Sequence, residues 1–70
     1  MKKLTERQAE VLDFIRWHHS EFGYAPSVRE ISIQFQITLK AIQDHLVALE
    51  KKGAIKKTNG VARSIVVLVE

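Results

Sequence analysis

Val11, Leu12, Ile15, His19 and Phe22 recur at steps of one, three, four and three, which predicts a helix with one stripe turned towards a core. Thr5-Glu6-Arg7-Gln8 ahead of that stripe is a capping box. Its hydroxyl accepts from a first-turn amide while Gln8 reaches back to the cap amide, so the helix is expected over about 5–22. Gly23 supplies the left-handed residue that ends it. Pro26 has no amide hydrogen and pushes Ala25 towards extended geometry, making Tyr24 to Pro26 a short connector.

Ser27-Val28-Arg29-Glu30 repeats the capping logic and opens a shorter helix, about 28–35, with Val28, Ile31 and Phe35 on its apolar side. Thr38 is the next residue suited to an N-cap. It opens a third helix, about 39–52, in which Leu39, Ile42, Leu46 and Leu49 recur at three, four and three. Gly53 closes that helix, and Lys51 and Lys52 lie in its last turn, where cations suit the dipole. Only Gln36 to Thr38 join the second and third helices, so the two must cross sharply, as in a helix-turn-helix. After Gly53 the period changes: Ala54 to Thr58 and Val61 to Val69, the latter rich in β-branched residues, flank Asn59-Gly60, a type I′ hairpin signal. The expected fold is mainly α with a small β-hairpin, a three-helix winged helix-turn-helix occupying residues 1–70 as one domain, with the wing at about 54–69.

Composition narrows the classes of function. Seventy residues leave no room for a second lobe, and 46% apolar with 27% charged residues describe a chain that folds. The absence of cysteine removes disulfides, thiolate metal sites and cysteine nucleophiles. Charged residues follow the basic start too closely for a signal peptide, and the longest apolar run, Ile65 to Val69, is too short for a membrane span. Residues 1–35 balance five basic against five acidic side chains. The whole net charge of +3 therefore lies in the second half, which favours a polyanionic partner over a neutral one.

Other chemistries are weaker. His18 and His19 are adjacent on a helix and diverge by about 100°, and His45 lies on another helix, so no metal site is expected. His19 reads instead as a part-buried helix contact. Trp17 and Tyr24 read as packing residues, because a base-stacking platform needs several aromatics on one sheet. No nucleophile–base set, glycine-rich phosphate loop or carboxylate pair stands at a usable spacing, so neither an enzyme nor a cofactor is expected.

Leu4-Thr5-Glu6-Arg7-Gln8, Val11 to Ile15, Gly23 to Ile31, His45-Leu46, Ala48 to Gly53 and Ala62-Arg63, in this order, closely resemble the amino-terminal DNA-binding domain of LexA repressors. Two places depart from it: Gln36 stands where the family often has Gly, and Thr38-Leu39-Lys40 where many members carry Ser-Pro with one more residue. The resemblance implies a transcriptional repressor of the DNA-damage (SOS) response, cytoplasmic and associated with the bacterial nucleoid. The family's self-cleaving domain, with its Ser–Lys dyad and dimerisation surface, is expected to lie outside these residues. The partner implied is double-stranded DNA, an operator half-site, bound by a chain that is a monomer alone and a dimer on DNA or through that absent domain; no membrane is involved.

A recognition helix presents its early, non-core positions to base edges, which here are Lys40, Ala41, Gln43, Asp44 and Val47. Lys40 suits guanine O6 or N7, Gln43 adenine N6 and N7, Asp44 cytosine N4, and Ala41 a thymine methyl. The resemblance points to Lys40, Ala41, Gln43 and Asp44 as well. Leu39, where core stripe and groove face meet, is expected to be a buried anchor. Ser27 and Thr38 cap helices and can also grip phosphate through hydroxyls and first-turn amides. Lys56 and Lys57 point to opposite faces of a strand, so at most one meets the backbone. Arg63, past the hairpin tip, is better placed for a phosphate or the minor groove. The rival reading is a winged helix used as a protein-interaction module, against which stand the polar side chains and missing aromatics of helix three.

Overall fold

A computed structural model describes residues 3–68 as three helices followed by a two-stranded antiparallel sheet. The order is α1 (Glu6–Phe22), α2 (Val28–Phe35), α3 (Leu39–Lys51), β1 (Ile55–Lys56) and β2 (Val66–Val67). Each helix starts on a hydroxyl cap. Thr5 Oγ1 accepts from the Gln8 N–H at 3.1 Å while the Thr5 N–H donates to Gln8 Oε1 at 3.1 Å; Ser27 and Glu30 make the same reciprocal pair at 3.1 and 2.9 Å. Thr38 accepts from the Ala41 N–H at 3.1 Å, with no carboxylate in the first turn of α3 to return the bond. Caps of this kind stabilise a helix by about 1 kcal/mol each.

The core is a single cluster drawn from the three helices and the wing: Val11, Leu12 and Ile15 of α1, Ala25 of the connector, Ile31 of α2, Ile42, Leu46 and Leu49 of α3, and Ala54, Ile55 and Ile65 of the wing. Lys52 ties its two ends together, its Nζ donating to Gln8 Oε1 and to the Lys3 carbonyl.

Three expectations need correction. After Ile15 the buried stripe of α1 continues through His18, only 6% exposed, whereas His19 and Phe22 are exposed. His18 is chosen because its Nδ1–H reaches the Tyr24 carbonyl at 2.9 Å and its ring packs among Phe14, Phe22 and Tyr24, which satisfies a buried polar group. Leu39 is not a buried anchor but 41% exposed; Ile37, in the turn itself, packs on the core in its place and Ile42 is the first buried residue of α3.

The wing is the third. Its pairs are Ile55↔Val67 and Lys56↔Val66, whereas closure on a two-residue Asn59-Gly60 turn would set Ile55 opposite Ser64, three positions earlier. That tighter register would put Ser64 on the core face beside buried Ile55 and turn Ile65 outward; the observed one places Val67 beside Ile55 and buries Ile65. Asn59 lacks positive φ, and only Gly60 (77°) has it at the tip, where the Val61 N–H closes on the Thr58 carbonyl at 3.3 Å, as in a type II rather than a type I′ turn. The Ser64 hydroxyl then clips both Thr58 backbone groups at 3.0 Å, and Leu68 N–H returns to the Ala54 carbonyl at 2.8 Å. Val69, assigned to the second strand by sequence, lies outside the described residues.

Between α2 and α3, Gln36 is left-handed (φ 56°, ψ 42°). Its N–H bonds the Ile33 carbonyl at 3.3 Å and the Ile37 N–H the Ser32 carbonyl at 3.2 Å, the paired bonds of a Schellman closure. A side chain in this conformation costs roughly 1–2 kcal/mol, against roughly 0.5–1 kcal/mol of added backbone entropy for glycine. Gln36→Gly is therefore expected to stabilise the fold by about 0.5–1 kcal/mol, read as a higher denaturation midpoint at unchanged slope.

Candidate nucleic-acid interface

One helix stands with a continuous polar stripe towards solvent. Lys40, Gln43, Asp44 and Val47 follow at three, one and three along α3 and are all exposed, because the opposite face buries Ile42, Leu46 and Leu49. Ala41 sits to the side and is half-buried. Lys40 Nζ and Asp44 Oδ1 lie 3.7 Å apart in a well-exposed pair, which holds them weakly and lets either turn to another partner. Leu39 and Val47, 41% and 48% exposed, bracket these polar groups with apolar surface. Leu39 was missed as a surface residue because its spacing from Ile42 matches the core stripe; Ile33 of α2, still more exposed, has no sequence signal beyond being apolar between polar neighbours.

The helix starts differ in charge. Glu6 and Glu30 stand in the first turns of α1 and α2, whereas α3 has no acidic residue there and carries Lys40. The positive end of the α3 dipole is thus left open to an external anion or acceptor, with Thr38 exposed at its tip. Ser27, by contrast, is occupied: its N–H and its hydroxyl both belong to the capping box with Glu30.

At the wing, Lys56 is exposed and Lys57 half-buried, and neither forms an ion pair among the described residues. Arg63 has partners that the sequence reading did not include. Its Nη1 and Nη2 donate to the two Glu30 carboxylate oxygens at 2.8 and 3.0 Å, Nη1 also donates to the Ala25 carbonyl at 3.1 Å, and the guanidinium lies 4.7 Å from the Tyr24 ring centre. The guanidinium is thus engaged by the chain's own groups, although the side chain is 39% exposed. The Arg63 bonds, followed by the Ser27 N–H, hold the Glu30 carboxyl down from its ordinary 4.5 to about 2. His18 Nε2 lies 3.7 Å from the same carboxylate. Sequence reasoning marked Glu30 as a cap and nothing more; its second partner, across the fold, leaves no local signal.

Among the described residues no three or more His, Cys, Asp or Glu side chains converge as metal ligands, and no helix is long and apolar enough to cross a membrane. A shallow groove between α1 and β2, lined by Ile15, His19, Ile65 and Val67 among others, includes no residue of α3.

Three helices with a sharp α2–α3 turn and a trailing two-stranded wing define a winged helix-turn-helix. A family model for the LexA DNA binding domain matches residues 1–64, and the chain belongs to that family. It is 48% identical to a LexA repressor of Thermosipho melanesiensis and 52% identical to one of Thermotoga maritima, each over 93% of this chain and 33% of the relative. A LexA repressor of Leptospira biflexa is 47% identical over 97% of this chain and 34% of its own length. The chain thus spans about a third of the length of these curated relatives.

The Glu30 carboxyl supplies a test of the Arg63 pairing. Because its value in the fold, about 2, lies below the ordinary 4.5, its ionised form adds stability that is fully present above the ordinary value and lost as pH falls towards 2. A carbon-detected titration of the Glu30 carboxyl is expected to show a midpoint near 2. In Arg63→Ala that midpoint should rise towards the ordinary range, stopping short of it because the Ser27 N–H remains.

Proposed function

We propose that residues 1–70 act as one sequence-specific domain that binds double-stranded DNA by laying α3 in the major groove. The observation that carries this reading is the exposed stripe Lys40, Gln43, Asp44 and Val47 on a helix whose N-terminus has no acidic residue. Gln43 reads adenine through N6 and N7, Lys40 reads guanine, and Asp44 accepts from cytosine once its loose pair with Lys40 opens. Leu39, Ala41 and Val47 offer apolar surface to thymine methyl groups. Thr38, at the tip of α3, and Lys56 and Lys57, which form no ion pair among the described residues, meet backbone phosphate; Ser27 contributes through the first turn of α2.

The family and the repressors it resembles support a transcriptional repressor of the DNA-damage response, working in the bacterial cytoplasm at the nucleoid. The chain alone is a monomer that occupies one operator half-site. Two copies take the two halves of an inverted repeat, and joining them raises affinity through effective concentration.

Selection from a random duplex library, followed by titration of selected and scrambled duplexes, tests this. Gln43→Ala is expected to lose about 1–3 kcal/mol on the selected duplex and to relax selection at one base pair. An unchanged ratio of selected to scrambled affinity would remove α3 as the reading element. Affinity of the wild-type chain should also fall with salt at a slope of log K against log salt of roughly −4 to −5, for about five phosphates neutralised. A flat salt titration would favour a protein-interaction role.

A further inference from the structure

The wing has little to hold it in place by itself. Its ladder is two residue pairs, and an isolated two-stranded ribbon of that kind is marginal in water. Residues 57–65 leave the sheet and return to it, fastened internally by the Ser64 hydroxyl on Thr58. Ile65 anchors the end of this stretch in the core, and before it Arg63 supplies the side-chain hydrogen bonds that reach α2 and the connector ahead of it. Arg63 sits in the left-handed region (φ 57°), a conformation that a non-glycine residue keeps only when its surroundings enforce it. Here the enforcement is visible: two bonds to Glu30, one to the Ala25 carbonyl, and the Tyr24 ring against the guanidinium.

Resting on the DNA-binding reading above, we propose that Arg63 is a positioning residue for DNA binding. It acts through Glu30, fixing the wing and its lysines against the start of α2 and neutralising the carboxylate there, without itself touching DNA. These partners take both Nη1 hydrogens and one Nη2 hydrogen, so a phosphate contact has only the Nε–H and the other Nη2–H unless the fork is drawn away from Glu30. Drawing the fork away would leave the Glu30 charge without its Arg63 partner in the first turn of α2, where a phosphate would otherwise be attracted. The planar fork is needed for this arrangement. Lysine could replace it on a phosphate but not between Glu30 and Tyr24.

The two roles predict opposite signs at Glu30. Wild type, Glu30→Gln, Arg63→Ala, Arg63→Lys and the Glu30→Gln/Arg63→Ala double variant are titrated on the duplex recovered by selection, after thermal melting shows each is folded. Steady-state 15N heteronuclear NOEs over 57–65 are read on the DNA-free proteins. Glu30→Gln keeps an acceptor for the capping box and raises the net charge by one, so electrostatics alone would strengthen binding. Positioning predicts instead a loss of about threefold, a loss of about tenfold for Arg63→Ala, and a double variant no weaker than Arg63→Ala alone. Arg63→Lys should recover less than half of that loss on a logarithmic scale, and NOEs across 57–65 should fall in every variant.

Binding by Glu30→Gln as tight as wild type or tighter, with Arg63→Ala weakened, would overturn the proposal in favour of direct contact. Full affinity in Arg63→Lys would do the same. Variants that all bind like wild type would overturn the positioning role while leaving the DNA-binding reading intact. A wild-type chain that binds no duplex would overturn both.

Discussion

The chain has three residues, Gln36 to Thr38, in which to leave one helix and start another, and the rest of the molecule is arranged around how that is done. Gln36 reverses the backbone in the left-handed region, Ile37 returns its N–H and carbonyl to Ser32, and Thr38 caps the next helix within the same turn. So short a path fixes the angle between α2 and α3. That angle lets Ile31 meet Ile42 and Leu46 in one core, and the burial of those side chains, worth about 1.5–3 kcal/mol each, keeps the opposite face of α3 towards water. The polar stripe is thus a by-product of the turn and the core acting together. No separate device aims it.

Formal charge overstates what the surface offers to a polyanion. The excess of basic residues lies in the second half of the chain, yet Lys52 is bound to Gln8 and the Lys3 carbonyl, and Arg63 to Glu30 and the Ala25 carbonyl. Both hold distant parts of the fold together. Lys40 is only loosely engaged by Asp44, and Lys56 and Lys57 have no ion pair among the described residues. The cations available to phosphate are accordingly a subset centred on α3 and the base of the wing.

Local signals were legible in the sequence and long-range ones were not. The reciprocal caps at Thr5–Gln8 and Ser27–Glu30, the cap at Thr38, and the three-and-four spacing of Ile42, Leu46 and Leu49 are each set within a turn or two, and the structure has them. The choice of His18 over His19 turned on a carbonyl six residues away and on a ring of aromatics that no helical period encodes. The register of the wing likewise followed from which side of β2 could enter the core, against the local preference of Asn59-Gly60 for tight closure. At the candidate site, the stripe on α3 could be listed from spacing alone. The occupation of Arg63 by Glu30, 33 residues back in the chain, could not.

The wing's dependence on distant partners also bears on its kinetics. The helices are built from contacts within a few residues and the ladder closes within one hairpin, while the Arg63 fork reaches back 33 residues to Glu30, which raises its entropic cost. Of the contacts that hold the wing, the fork is the costliest to close. Interactions that form after the rate-limiting barrier leave the folding rate alone and act on the escape rate from the native state. If the fork closes after that barrier, Arg63 and Glu30 govern the lifetime of the closed wing more than the speed with which the domain reaches it.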